Sequence, residues 1–588
     1  MYRRQFLATS ASVAGCLASQ PSVVLAQPLE RLTSNVAAAT VHPLATAAAI
    51  EIMHQGGNSI DAAIAAALVL GVVDGHNSGI GGGCLILARV AGGRILAIDG
   101  RETAGAAASE SMFVQNGKAD ANLSQTGPLA CGVPGQIAAM HRIHREHGKR
   151  PWKELFARAI AIADDGSPLS RSSARTIASE ATDLARFPAS QQIYFHPNGE
   201  PLREGESFVQ KDLARTLQAI ANDGPAWFYD GEFARVCAEY LHGMGGILTR
   251  EDFLSYQPVD REPIETPYRG RTVIGFPPPS SGGTHIAQML MMLEPYPIAQ
   301  WYREHPIRFF HLLAECMKRA FADRAFWLGD GDFVKIPAGL LDPAYNRERM
   351  KDFSESSASP NVEHGLPPGA ELEGKQSDRT ITDGVDGKHT THLTTADRDG
   401  NWVAMTCTVN TSWGSKVTVP GTGVMLNNQM DDFSIAPGTP NAFGLVGSQA
   451  NAIAPRKRPL SSMSPTIVLD DRRLPVMTCG AAGGPRIINA TLQVLVRTID
   501  LEQSITAAIA APRIHHQWQP DQLVIEDEIG RDTDLAISAS IRRDLETLGH
   551  SAKTSSGLAV AQGIQRLSGK LIAAHDPRAQ GDSSSSEL

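Results

Sequence analysis

Two threonines and an asparagine form the first group of residues in this chain that could do chemistry together. Residues 390–397 (Thr-Thr-His-Leu-Thr-Thr-Ala-Asp) and 401–410 (Asn-Trp-Val-Ala-Met-Thr-Cys-Thr-Val-Asn) have the β-branched and aromatic content of strands. Arg398-Asp399-Gly400 lies between them. A three-residue hairpin loop wants Gly at its last position, where φ is positive, and Gly400 stands there. That register sets Asp397 against Asn401 and Thr390 directly against Thr408. Side chains alternate along a strand, so Asn410 shares the face of Thr408. A two-residue loop would shift the pairing by one and separate the hydroxyls. The spacing thus predicts a threonine hydroxyl at a strand start, facing a second hydroxyl and an amide. Such a hydroxyl is a weak nucleophile until a base takes its proton. A chain-terminal threonine carries its own base, an α-amino group of pKa about 7.7–8.0. That amine exists at Thr390 only if the bond after His389 is cut. Residues 354–389 are dominated by Ser, Pro, Gly and charge, and read as an exposed linker where a cut can be accommodated.

The elements around this hairpin must come from a large chain. It has 588 residues, 42% of them hydrophobic, and a formal net charge of −9 from 53 Lys+Arg and 62 Asp+Glu. That composition supports a sizeable core and excludes disorder. No Lys/Arg run forms a basic patch, so nucleic acid is not an expected partner. No stretch beyond the N-terminus is apolar and long enough to span a bilayer. Residues 1–26 read as a signal peptide. Arg3-Arg4 followed by Phe6-Leu7 is twin-arginine-like, and Val24-Leu25-Ala26 is a cleavage site before Gln27. A periplasmic or secreted location is expected. Val13-Ala14-Gly15-Cys16 is a competing lipoprotein box. Seven cysteines (16, 84, 131, 237, 316, 407 and 479) show no Cys-x-x-Cys pair and read as buried thiols. Zinc binding is not indicated, because His389 and His392 would face opposite sides of a strand. Residues 44–72 read as an Ala-rich buried helix, 85–90 as a strand, 284–294 and 487–496 as helices, and 583–586 as a frayed Ser-rich terminus. Helical periodicity dominates 133–255.

Thr390-Thr391-His392, Asp399-Gly400-Asn401, Thr408-Val409-Asn410-Thr411 and Gly414 resemble the signature of the γ-glutamyltranspeptidases (glutathione hydrolases). So do Leu426-Asn427-Asn428-Gln429-Met430-Asp431-Asp432-Phe433, Lys457 to Pro465, and Gly480-Ala481-Ala482-Gly483-Gly484. Upstream the likeness includes Asp99-Gly100-Arg101-Glu102, Val133-Pro134-Gly135, the 277–283 Pro-Pro-Pro-Ser-Ser-Gly-Gly loop and Ala322-Asp323-Arg324. It covers nearly the whole chain after the signal, in the expected order.

The resemblance implies an α+β fold, the four-layer αββα sandwich of N-terminal-nucleophile hydrolases. It implies autocleavage into a large piece, 27–389, and a small catalytic piece, 390–588, which stay together. Thr390 would attack the γ-amide of glutathione or another γ-glutamyl compound, and water or an amino acid or dipeptide would accept the acyl group. Thr408 would hydrogen-bond the nucleophile. Arg101, Ser461 and Ser462 would hold the substrate α-carboxylate, and Asn410, Gln429 and Asp432 its α-ammonium. The N–H groups of Gly483 and Gly484 would form the oxyanion hole. No metal or cofactor is expected. Each role suits its residue: a zwitterionic head calls for Arg and Asp together, and glycines let backbone approach an oxyanion.

Three features depart from the family pattern. His389 precedes the nucleophile where a small polar residue is less surprising. Phe443 stands in the loop 434–448 where lidded relatives often carry Tyr. Cys84 and Cys407 add thiols the mechanism does not need. Two rival readings are a cephalosporin-acylase-like amidase and an exported, non-processing γ-glutamyl-binding protein.

Overall fold

The computed structural model describes residues 31–33, 35–371, 389–435, 440–526, 537 and 539–586. The expected signal 1–26 lies outside the described residues, as do 372–388 of the linker and 436–439 of the loop after Asp432. Among the described residues no helix is long and apolar enough to cross a membrane.

Two seven-stranded antiparallel sheets pack face to face. In the first, β1 (Gly83–Arg89) and β2 (Thr391–Asp397) flank β3 (Trp402–Thr408). The second contains β4 (Pro475–Ala482), which runs into the glycine pair 483–484. Ala37, Ala39, Ala396 and Trp402 of the first sheet meet Ile564, Leu571 and Ala573 of the second. Helices cover both outer faces. The helix α1 (Ser59–Val73) lies on the first sheet; α3 (Arg486–Ile499) lies on the second, with α2 (Pro306–Trp327) in the same apolar cluster. The layering is the αββα sandwich expected.

Local sequence explains most boundaries. Gly400 has φ +86, and β2 pairs with β3 in the expected register, Thr391 against Cys407 and His392 against Thr406. The single helix expected over 44–72 is two, Pro43–His54 and Ser59–Val73. Gly56 at φ +89 breaks the chain, and an Asn58–Asp61 capping box restarts it. α1 is apolar on nearly every side because it is enclosed: of its 15 residues only Gly71 is not buried. The Ser-rich terminus is not frayed. Asp582–Ser586 pairs with Val36–Thr40 as an edge strand, because an unpaired sheet edge accepts any extended backbone. The linker ends differently too. His389 is buried although most of 354–371 is exposed or half-exposed.

Candidate active site

The hairpin delivers its hydroxyls as the register requires. Thr390 Oγ1 lies 2.9 Å from Thr408 Oγ1. Thr408 Oγ1 also accepts the Asn410 backbone N–H at 2.8 Å. A hydroxyl has one proton and two lone pairs, so Thr408 is free to donate to Thr390, leaving the Thr390 proton available to a base. Thr390 is itself held at φ +85, uncommon for a β-branched residue and costing on the order of 1–3 kcal/mol. The strained torsion is about the N–Cα bond that directly follows the His389–Thr390 peptide bond. The His389 ring is buried, and neither nitrogen has a hydrogen-bond partner among the described residues. Burial, then the nearby charges of Lys416, His76 and Arg486, pushes its pKa down to about 3, so the ring is neutral.

One cavity brings Thr390 and Thr408 together with Arg101, Asn410, Gln429, Asp432, Ser461, Ser462 and Gly484. Arg101 is 1% exposed, and its guanidinium donates to Pro459 O at 3.1 Å and Leu460 O at 3.2 Å. It is also ion-paired with Asp432. The two charges expected to hold opposite ends of one substrate are therefore paired with each other across the cavity. Gln429 Nε2 donates to Asp432 Oδ2 at 2.7 Å, while its own Oε1 is a buried acceptor without a partner among the described residues. Asn410 Nδ2 is committed to Asn428 O at 3.0 Å. Ser461 Oγ accepts the Met463 N–H at 3.1 Å and keeps its proton to donate.

Gly483 and Gly484 follow β4 at φ +133 and +58 and lead into the N-terminus of α3. Neither N–H donates a hydrogen bond among the described residues. Gly483 does not line the cavity itself, whereas Gly484 does. A Cβ at Gly484 would lie 2.7 Å from Phe443 Cδ1, so the glycine also makes room for that ring. Phe443 is 8% exposed and covers the cavity. Its segment is tied down through backbone: Ala442 N–H to Asp431 Oδ2 at 2.9 Å, Phe443 N–H to Asn441 Oδ1 at 3.0 Å, and Gln517 Nε2 to Phe443 O at 3.2 Å.

Three site groups were within quoted motifs but received no role from sequence. Arg324, on α2, reaches the cavity and donates to Ser462 Oγ at 3.2 Å and Ser281 Oγ at 3.0 Å. Burial lowers its pKa to about 10. Glu102 stands 3.8 Å from the Arg101 guanidinium, and burial raises its pKa to about 7 against the pull of Arg101. Asp431, raised to about 6 by burial, anchors the covering segment. For Glu102 and Asp431 the available signal was a charged residue directly beside an assigned one; for Arg324 it was only membership of the Ala322-Asp323-Arg324 motif. Among the described residues, His311, Glu315 and His550 bring ligand atoms within 4.8 Å, but none lines the cavity and Glu315 is paired with Arg319.

A strand-start threonine in an αββα sandwich defines an N-terminal-nucleophile hydrolase. The comparisons narrow this. The family model for Gamma-glutamyltranspeptidase matches residues 45–586, so the chain belongs to the γ-glutamyltranspeptidase family. It is 38% identical over 547 residues to the glutathione hydrolase proenzyme of Escherichia coli K12, covering 92% of this chain and 90% of the relative. It is 37% identical over 483 residues to the Acylase ACY 1 proenzyme of Pseudomonas sp. SE83, covering 81% of each. Among solved structures, cephalosporin acylase from Bacillus halodurans matches at TM-score 0.83 and 26% identity, over 98% of this chain and 100% of that one. Helicobacter pylori γ-glutamyltranspeptidase matches at TM-score 0.55 and 34% identity, over 57% of this chain and 96% of that one.

Proposed function

We propose that this chain is a γ-glutamyltransferase and glutathione hydrolase, exported and activated by cutting itself between His389 and Thr390. The observation that carries this reading is the Arg101–Asp432 pair in the cavity of the Thr390 hydroxyl. In the uncut chain Thr390 Oγ1 attacks the His389 carbonyl carbon. The C–N bond breaks as an ester forms, and water then hydrolyses the ester. The products are a carboxylate at His389 and an amine at Thr390. That amine is the base for turnover.

A γ-glutamyl head enters as a zwitterion and replaces one ion pair by two. Its carboxylate takes the Arg101 guanidinium and the Ser461 and Ser462 hydroxyls. Its ammonium takes Asp432 and the vacant Gln429 Oε1. The total charge of the cavity is unchanged, which limits the desolvation cost. Thr390 Oγ1 attacks the γ-carbonyl, and the Gly483 and Gly484 N–H groups, at the N-terminus of α3, receive the oxyanion. The amine leaves with the proton taken from Thr390. Water or an amino acid or dipeptide amine then releases the acyl group.

A specific observation keeps the acylase reading in view: the close fold match to a cephalosporin acylase. An acyl group without an α-ammonium leaves Asp432 with no cation beyond Arg101, so the site favours the amino-acid head. The decisive assay compares a γ-glutamyl anilide with the matching glutaryl anilide, with and without a dipeptide acceptor. Preference for γ-glutamyl and transfer to the dipeptide support the proposal; preference for glutaryl refutes it. Two chains in denaturing mass spectrometry, the small one starting at Thr390, support the cut; a single chain supports a binding protein instead.

A further inference from the structure

Two thiols outside the mechanism stand opposite each other across the strands that meet behind the nucleophile. Cys84 of β1 pairs in register with Cys407 of β3. The phase of the ladder follows from the hairpin. Asp397 N–H donates to Asn401 O, so Asn401 and every second residue after it, Cys407 included, point N–H and C=O towards β2. Cys407 therefore sends no backbone hydrogen bond to β1. Cys84 agrees from its own side, its carbonyl oxygen facing Gly100 on the opposite edge, 3.0 Å from where a Gly100 Cβ would stand.

The Cys84–Cys407 pair is thus a non-hydrogen-bonded one, the type in which Cα atoms approach to about 4.5 Å and side chains are closest. That falls within the roughly 4.4–6.8 Å that a disulfide spans. Both side chains lie on the same face, in one apolar cluster, at 0% and 1% exposure. Gly100 adds room for rotation, since a Cβ there would sit 3.1 Å from Cys84 Sγ. Among the described cysteines no other two oppose each other in a ladder.

We propose that Cys84 and Cys407 are a disulfide-forming pair that fastens the two pieces of the processed chain together. Cys84 belongs to the large piece and Cys407 to the small one. The fastening of two pieces rests on the proposed cut; the bond itself does not. The oxidant is a small-molecule disulfide. One cysteine thiolate attacks it, forming a mixed disulfide and expelling one thiol. The second cysteine attacks the protein sulfur of that mixed disulfide and expels the other thiol. Two electrons pass from the cysteine pair to the oxidant, and the two cysteine protons end on the expelled thiols. Burial, with the Cys407 thiol and the Glu102 and Asp99 charges behind it, raises the Cys84 pKa well above the ordinary thiol range. The exchange accordingly needs local opening between β1 and β3, central strands of their sheet, during folding or in mild denaturant.

The test incubates the purified protein with 2-hydroxyethyl disulfide in mild urea, then removes the reagent, alkylates in strong denaturant and maps peptides without reduction. A linked Cys84–Cys407 peptide is expected, with four alkylated thiols left of the six described cysteines. On a gel without reductant the processed protein should run at the mass of the uncut chain, and dithiothreitol should release the two pieces. Cys84→Ala and Cys407→Ala should each abolish the link. A Thr390→Ala precursor, which cannot be cut, should still yield the linked peptide, which separates failure of the bond from failure of the cut. Alkylation of both Cys84 and Cys407 after oxidation, or a link from either to another cysteine, overturns the proposal.

Discussion

Replacing Arg101 by Ala removes one half of the proposed reader of the substrate head. Wild-type Arg101 is almost wholly enclosed and serves four neighbours: the Pro459 and Leu460 carbonyls, Asp432 and Glu102. Loss of a desolvated charge partner costs on the order of 2–5 kcal/mol in transition-state binding, or roughly 30-fold to several thousand-fold in kcat/KM. The same change leaves Asp432 and Glu102 without their cation. An uncompensated buried charge costs about 3–5 kcal/mol, so folding must be measured beside activity. Glu102 can relieve part of that by taking a proton, since its pKa already stands at about 7. Asp432→Asn gives a cleaner second arm, because it keeps the shape and the Gln429 contact while removing one charge. The assay is kcat/KM on γ-glutamyl and glutaryl anilides for wild type, Arg101→Ala, Asp432→Asn and the double variant. Asp432→Asn should lose far more on the γ-glutamyl substrate than on the glutaryl one, which has no ammonium to lose. The double variant should lose less than the sum of the singles, because the residues share a partner. Unchanged kcat/KM for folded, processed Arg101→Ala would refute the assignment.

Three further outcomes follow from the site. Thr390→Ala should remain one chain and be inactive, whereas wild type cut after the expected signal should give pieces of 363 residues from Gln27 and 199 residues from Thr390; N-terminal sequencing checks the boundary. Phe443→Tyr should shift product partition towards transfer and Phe443→Ala towards hydrolysis, with a flap-opening difference of about 1 kcal/mol for the added hydroxyl; identical partition at fixed acceptor in all three proteins would show that this cover does not gate water. Glu102 carries a folded pKa raised above its unfolded one, so the stability its protonation contributes is fully present below about pH 4.5 and is lost as pH rises from there through about 7. Unfolding free energies of wild type and Glu102→Gln, extrapolated from urea titrations, should accordingly diverge in favour of the variant by up to roughly 3 kcal/mol between pH 5 and pH 8.

The hairpin was legible from sequence because its determinants are local. A glycine at the one loop position with positive φ and a side-chain period of two were enough to oppose Thr390 and Thr408, which the structure places 2.9 Å apart. The motifs also carried the family and the layered fold. Where the sequence reading slipped, a distant contact decided. The serine tail reads as polar and loose, yet it pairs with a strand more than 500 residues away in the chain, at Val36–Thr40. His389 reads as the end of an exposed linker and is buried beside Phe443, their ring centroids 6.2 Å apart. Arg101 and Asp432 were assigned to opposite ends of a substrate through the family resemblance, with residue types that suit those roles. Only the folded chain, bringing together positions 331 residues apart, shows them paired with each other. The shifted proton affinities of Glu102, Asp431 and Arg324 arise from enclosure, which no local window encodes. The opposition of Cys84 and Cys407 depends on the order of strands within a sheet. Strand order is settled by how apolar faces stack across the whole chain, and so it was the tertiary structure that decided it.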